Sequence, residues 1–487
     1  MQMAESPLVD SYQLYIGGRW VEPHNGRYDD ISPSTGATIA TAPDASVGQV
    51  AEAIEAARRA FDEGPWPAMS HQQRAGCLTQ LGEALKQHAD EFFSLSQAEW
   101  GCTANERMMQ IDSVSFIVQR AGQLATTLRE EPIGSHGAGA TVLCHEPLGV
   151  VSILTPWNFP HSLNVMKVSR ALAAGNTVVL KPSPLTPLAG LALARMIDEH
   201  TDIPPGVVNV VTPSSIEASK LLAVDPRIDM VSFTGSSAVG REVMAAAAGT
   251  MKRVLLECGG KSASIVLDDA ALTDELLQRM LFESCLLHAG QACILQSRLL
   301  LPDAMHDDVV DRLVALARQV KVGDPADPEV QMGPLISEQQ RQRVEGLVSR
   351  ALGDGATLAT GGRRPPALET GFYYEPTILT GSTPDATIAQ EEVFGPVLTV
   401  MRYRDDDEAV AIANNSQYGL SGAVWGTDAE RAVGVARRIR TGQIAVNGFG
   451  PGDAPFGGFK QSGLGREGGG IAGLHQYMER KAIGMPA

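Results

Sequence analysis

The sequence predicts an α/β fold built on a Rossmann-like, doubly wound parallel sheet, followed by a second α/β unit. Three observations point to it. From Val150 onward, short runs that are almost wholly apolar (VVSIL, TVVLK, VVNVV, DMVSF) alternate with helical stretches. Strands buried on both faces by crossover helices have this pattern. A second alternating block runs from ASIVLDD to about QIAVN, and at 487 residues the chain exceeds one hydrophobic core, so two or three domains are expected.

Taken in order, residues 11–45 read as short strands and turns, with a hairpin signal at Gly17-Gly18 and a second turn in SPSTG. VGQVAEAIEAARRAF spaces its apolar residues three and four apart. Helical patterning continues through HQQRAGCLTQLGEALKQHADEFFSLSQAEW to about Leu128, where GSHGAGA follows as a break. VVSIL is then a strand, HSLNVMKVSRALAAG a helix ended by Gly175, and TVVLK the next strand. LAGLALARMIDEH is a helix, VVNVV a strand, SIEASKLLA a helix and DMVSF a strand. This is a dinucleotide-type platform, whose ligands sit beyond the C-terminal strand ends. A glycine-dense tail, FGPGDAPFGGFKQSGLGREGGG, and a polar end, ERKAIGMPA, complete the chain, with no solenoid-period repeat.

A net charge of −17 argues against nucleic acid and against an acidic membrane as partners, while leaving room for a small anionic cofactor at a local site. Six cysteines (Cys77, Cys102, Cys144, Cys258, Cys285, Cys293) form no CxxC pair, so reduced thiols are expected, with neither a disulfide framework nor a metal site. The opening residues lack the pattern of a secretory signal, and LGVVSIL is too short to span a bilayer. A soluble, cytoplasmic protein is the expectation.

Four strand-end loops carry polar groups suited to covalent carbonyl chemistry. After VVSIL, TPWNFP holds Asn158 between Pro156 and Pro160. Its amide is a candidate oxyanion donor, although capping the next helix is the simpler reading of Asn158 alone. TVVLK ends in Lys181, where a nucleotide ribose would lie, or where a lysine is merely solvated. In TGSSAVG, Gly235, Ser236 and Gly240 mark a helix start able to meet a pyrophosphate, but an ordinary tight turn explains them equally well. LLECGGKS sets Glu257 among apolar neighbours, which raises a carboxylate toward the range of a general base; an exposed edge glutamate is the even alternative. Cys293, in HAGQACILQS, taken alone is a buried, inert thiol.

As an ordered set, TPWNFP, KPS, FTGS, LECGGKS, GQAC, EEVFGPV and PFGGFKQSGLGRE, from about Thr155 to Glu467, resemble the aldehyde dehydrogenase superfamily. The resemblance implies that Cys293 is the nucleophile, forming a thiohemiacetal and then a thioester. Asn158 and the Cys293 backbone N–H form the oxyanion hole, and Glu257 activates the hydrolytic water. It implies cofactor contacts at Thr155, Trp157, Lys181, Ser183, Gly235, Ser236 and Gly240, with Glu392 and Phe394 holding the nicotinamide ribose. Lys167 and Glu467 match a proton-relay pair. The cofactor implied is NAD, with NADP open because Pro184 stands where many members have a glutamate that holds the ribose hydroxyls.

The same resemblance assigns residues 1–124 and 148–258 to an NAD(P)-binding domain and 259–465 to an α/β catalytic domain. Residues 125–147 and 466–487 become a small β oligomerisation arm of a homodimer or homotetramer. A coenzyme-A-acylating enzyme and a non-catalytic binding protein are the alternatives; Glu257 argues against the first, and the trio Cys293, Glu257 and Asn158 against the second. Segments expected at the substrate entrance are Met166 to Arg170, His288, Ala292 to Ile294 and Phe449 to Phe456. They offer no charged clamp, so a medium apolar or aromatic aldehyde is expected, unless Trp157, Phe449 and Phe456 are core.

Overall fold

A computed structural model describes residues 12–136 and 139–486. Residues 1–11, 137–138 and 487 lie outside the described residues. With them lie the leaderless reading of the N-terminus, the first residues assigned to the cofactor domain, and two small parts of the arm.

The first sheet has eight strands. Its five central members are parallel, in the order Val208–Val210, Thr177–Lys181, Val150–Leu154, Met230–Thr234, Arg253–Glu257. Each is apolar on both faces because helices cover both: Pro160–Ala173, Leu188–His200, Ile216–Val224 and Ser237–Ala247 are the crossovers. The chain enters at the centre, winds outward through Thr177–Lys181 and Val208–Val210, then returns to the other side at Met230–Thr234. The loops after Leu154 and Thr234 therefore diverge, opening a crevice where ligands of such sheets bind.

The sheet is not parallel throughout. Leu14–Ile16 joins one edge antiparallel to Val208–Val210, with Arg19–Val21 beyond it, and Gly463–Leu464 joins the other edge antiparallel to Arg253–Glu257. Segments of two or three residues carry no readable periodicity, which is why the sequence hides them. The hairpin at Gly17-Gly18 is present, with both glycines at positive φ, +62° and +77°.

The second sheet is ordered Thr357–Thr360, Thr377–Thr380, Val397–Tyr403, Arg298–Pro302, Ala263–Val266, Gly422–Trp425, Ala445–Val446. Its core is built from Leu299, Leu301, Val397, Val400 and Trp425 with the helices around them. A third sheet pairs Met478–Pro486 with Gly139–Pro147, and the latter with Glu131–His136. On either side of residues 137–138, residues 134–136 and 139–140 of the GSHGAGA break thus lie in paired antiparallel strands. Beyond Met478 the last strand is exposed, and Ile133, Ile483 and Met485 present apolar side chains to solvent. No helix among the described residues is long and apolar enough to cross a membrane.

Candidate active site

A cavity of about 500 Å³ opens at the switch point, lined by Asn158, Gly235, Ser236, Glu257, Cys293, Glu392, Phe394 and Glu467 among others. These residues come from both sheets and from the tail, so the fold alone brings them together.

Asn158 is buried, and its Nδ2 donates to the Gln291 carbonyl at 2.9 Å. The residue preceding the helix is Phe159, without a side-chain cap, so the capping reading of Asn158 is corrected. One amide hydrogen meets Gln291, and the other remains for the cavity. Gln291 also braces the nucleophile loop: its Nε2 donates to the His288 carbonyl at 2.9 Å, and its Oε1 accepts from the Ile336 amide at 2.9 Å.

The loop leading to Cys293 is wound left-handed over three residues, with φ of +49° at His288, +50° at Ala289 and +78° at Gly290. Only glycine fits the third position, because a Cβ there would lie 2.0 Å from the Gly395 carbonyl oxygen. Non-glycine residues in this region are strained and persist where their surroundings over-determine them. Here the His288 amide donates to Glu106 at 2.5 Å, and its ring packs between Trp100 and Phe159. Burial drives the His288 imidazole down to about 3, so it is neutral.

Cys293 lines the cavity, and burial pushes its thiol up to about 12, helped by the carboxyls of Glu392 and Glu257. Glu257 ends its strand beside Gly463 and is 4% exposed, which corrects the exposed-edge alternative. Neither carboxyl oxygen has a hydrogen-bond partner among the described residues. Burial holds its pKa well above the usual carboxylate range, and Glu467 adds to the shift. The next two glycines allow close approach: a Cβ on Gly259 would sit 2.1 Å from the Glu392 carboxylate, and one on Gly260 2.6 Å from the Cys293 carbonyl. Gly260→Ala therefore has to displace the nucleophile's backbone. We expect a stability loss of about 1–3 kcal/mol, read as a lower thermal midpoint, together with a fall in turnover.

Lys167 and Glu467 form an ion pair of 2.6 Å with both side chains buried. Ser232 and Tyr477 complete the group: Lys167 donates to Ser232 Oγ at 3.1 Å and Tyr477 to Glu467 at 3.1 Å. Glu467 reaches the cavity, whereas Lys167 lies behind it.

At the other end, Ser236 caps the helix Ser237–Ala247 by accepting from the Val239 amide at 3.3 Å. Gly235 and Gly240 are required by packing, since a Cβ would fall 2.5 Å from the Phe233 ring and 2.8 Å from Cys258 Sγ respectively. Glu392 accepts from the Gly260 amide at 2.9 Å, and burial lifts it to about 7. Phe394, at φ +57°, meets Trp157 edge-on at 5.2 Å. Of the expected cofactor contacts, Trp157, Gly235, Ser236, Glu392 and Phe394 line the cavity, while Thr155, Lys181, Ser183 and Gly240 do not. Thr155 donates to Asn164 at 2.6 Å, and Ser183 accepts from the Leu185 amide at 3.2 Å. Lys181 donates to the Pro182 carbonyl at 3.0 Å, and burial lowers it to about 8.

Sequence reasoning missed Gln340 and Arg343, one helical turn apart. They hold the Glu392–Phe394 loop by donating to the Phe394 carbonyl at 2.7 Å and the Glu392 carbonyl at 2.9 Å. Their i,i+3 spacing was the one available signal. Met109, Gln110, Ser162 and Leu163 also line the cavity and were not singled out. Among the segments expected at the entrance, Met166, Cys293, Ile294 and Phe456 do line it; Arg170, His288, Ala292 and Phe449 do not, and Phe449 is 84% exposed.

Residues 20–483 match the sequence profile of the Aldehyde dehydrogenase family. The chain is 39% identical over 482 residues to a betaine aldehyde dehydrogenase of Bacillus subtilis, covering 97% of each. It is 37% identical over 463 residues to a geranial dehydrogenase of Castellaniella defragrans, covering 94% of this chain and 96% of the relative. The solved betaine aldehyde dehydrogenase of Staphylococcus aureus in complex with NAD+ superposes with a TM-score of 0.94 at 34% identity, over 98% of this chain and 95% of that one. With its α/β fold and parallel sheets, this chain belongs to the aldehyde dehydrogenase family.

Proposed function

We propose that the protein oxidises an aldehyde to a carboxylic acid with NAD+ through covalent catalysis at Cys293. The observation that carries this reading is one cavity lined by a thiol, an oriented amide donor and a hydrogen-bond-free buried carboxyl: Cys293, Asn158 and Glu257. The Cys293 thiolate adds to the carbonyl carbon, and the resulting oxyanion is met by the free Asn158 amide hydrogen and the Cys293 backbone N–H. Loss of hydride leaves a thioester on Cys293. Glu257, as carboxylate, takes a proton from the water that adds to this thioester, and the acid is released as the C–S bond breaks and Cys293 leaves as thiolate. Lys167 and Glu467, with Tyr477 and Ser232, form a buried chain suited to passing the Glu257 proton away from the cavity. A carboxyl with no competing partner supports hydrolysis over transfer to a coenzyme-A thiol.

The residues present fit NAD. The exposed cap Ser236 heads a helix of eleven residues at the switch point, and Glu392, half-buried and bonded through one oxygen to Gly260, has its other oxygen toward the Gly259 gap. When bound, NAD supplies the hydride acceptor. Pro184 is exposed and brings no carboxylate against a 2′-phosphate, so the reading includes use of NADP. Lys181 and Ser183, though outside the cavity lining, stay with Thr155 and Gly240 in the proposed cofactor set.

Phe159, Leu163, Met166, Ile294 and Phe456 form most of the apolar part of the remaining wall. This supports a medium apolar or aromatic aldehyde, nearer in kind to what the geranial dehydrogenase is named for than to a quaternary ammonium aldehyde. The domain division at residues 124, 147, 258 and 465 belongs to this reading. So do a homodimer or homotetramer built on the exposed three-stranded arm, and a cytoplasmic location consistent with six free cysteines. The test is formation of reduced cofactor from a panel of aldehydes with NAD and NADP at equal concentration. Turnover of apolar aldehydes in preference to betaine aldehyde is expected, and no reduced cofactor with any aldehyde would overturn the reading.

A further inference from the structure

The cavity wall that reads as apolar also holds a glutamine whose amide donor has no partner among the described residues. Gln110 is fully buried, with 0% of its surface exposed, and it lines the cavity. Its Oε1 accepts from the Ser162 hydroxyl at 3.1 Å, while its Nε2 has no hydrogen-bond partner among the described residues. A buried amide donor left unsatisfied costs free energy comparable to a lost hydrogen bond, so native structures rarely keep one without use. Its backbone is also unusual: Met108–Asp112 forms a single π-helical stretch, a widened turn that occurs mostly at functional sites. The extra residue in that turn sets Met109 and Gln110 together on the cavity side, where both contribute to the lining.

The placement of Gln110 relative to the chemistry follows from Ser162. That residue lies in the first turn of the helix Pro160–Ala173, immediately after Asn158, and Phe159, Ser162, Leu163 and Met166 present one continuous face to the cavity. Gln110 is thus tied to the wall that begins at the oxyanion donor, away from the Ser236 and Glu392 end.

We propose that Gln110 is a specificity residue, and that the substrate is an aldehyde carrying a hydrogen-bond-acceptor oxygen (a ketone or ether oxygen) within an otherwise apolar or aromatic body. The inference rests on the reading of the cavity as an aldehyde site and narrows its substrate class. A binding wall with one donor in apolar surroundings discriminates strongly, because the acceptor-free analogue leaves the donor buried and unpaired.

The test compares aliphatic and aryl aldehydes in matched pairs, one member carrying a CH₂ and the other an ether oxygen or ketone at successive positions along the chain. For the wild-type protein we expect one position at which the oxygenated member has a kcat/KM at least about tenfold higher, mainly through a lower KM. In Gln110→Leu that ratio falls to within about threefold of one. Gln110→Met keeps the length of the side chain but offers no N–H donor, so there too the ratio falls to within about threefold of one. A thermal melt and NAD affinity measured on each variant identify a folding failure, in which case the variant that folds decides together with the wild-type pairs. Equal kcat/KM within every pair in the wild type, or a preference unchanged in both variants, would overturn the proposal and assign the Nε2 donor to bound water. Absence of any aldehyde oxidation would instead overturn the proposed function itself.

Discussion

Replacing Cys293 by alanine abolishes aldehyde oxidation, with kcat/KM lowered by on the order of 10⁴-fold or more, because no second thiol stands in its place. Cys258 also lines the cavity, but its Sγ lies against Gly240, beneath the helix start, where burial raises its thiol to about 11. Turnover by Cys293→Ala at the wild-type rate would remove Cys293 from the mechanism. The same residue carries a pH signature. Its pKa is raised, so the reactive thiolate is scarce at neutral pH and becomes more abundant as pH rises toward about 12. Glu257 is shifted in the same direction, and in the proposed mechanism its active form is likewise the deprotonated one. Both groups therefore make activity climb with pH. In cofactor-free protein, alkylation of Cys293 by iodoacetamide should accelerate roughly tenfold per pH unit between pH 7 and 10. A pH-independent rate across that range would contradict the raised pKa of the thiol.

The second large effect separates the two halves of the reaction. Glu257→Gln removes the proposed proton acceptor for water while leaving Cys293, Asn158 and the cofactor end in place. We expect a burst of reduced cofactor approaching one equivalent per site, followed by a steady rate lower by about 10²–10⁴-fold. Rapid-mixing absorbance measures both phases, and mass spectrometry of the stalled protein should find the acyl group on Cys293. Since the wild-type carboxyl has no hydrogen-bond partner among the described residues, the amide disturbs no bond seen there. A variant with the wild-type steady rate would transfer the role of base to another group, and Glu467, paired with Lys167, would be the first to test.

Much of this site can be read from sequence, because each chemical group follows a strand that is apolar throughout. TPWNFP, LECGG and GQAC stand out as polar punctuation after buried runs. What could not be read depends on chain segments far apart. Asn158 looked like a helix cap because its partner, the Gln291 carbonyl, lies 133 residues away. Glu257 looked evenly balanced between core and edge because the strand that covers it, Gly463–Leu464, is two residues long and hidden in glycines. Gln340 and Arg343 act through backbone carbonyls of the Glu392 loop, an interaction without any side-chain signature. The left-handed run before Cys293 was half visible: Gly290 announces it, but His288 and Ala289 adopt positive φ only because their surroundings hold them there.

The two-residue strand beside Glu257 has a consequence for the birth of the protein on the ribosome. Cys293 emerges long before Gly463 and Glu467, by roughly 10–30 s at ordinary rates of synthesis. Until that tail arrives, the edge of the first sheet beside Glu257 stays unpaired, and Lys167 waits, uncompensated, for a carboxylate 300 residues downstream. The nascent chain thus displays its thiol without the groups that complete the hydrolytic half of the site. On the proposed mechanism, an acyl group that reached Cys293 in that interval would meet no poised base, and the thioester would persist where the finished protein would hydrolyse it.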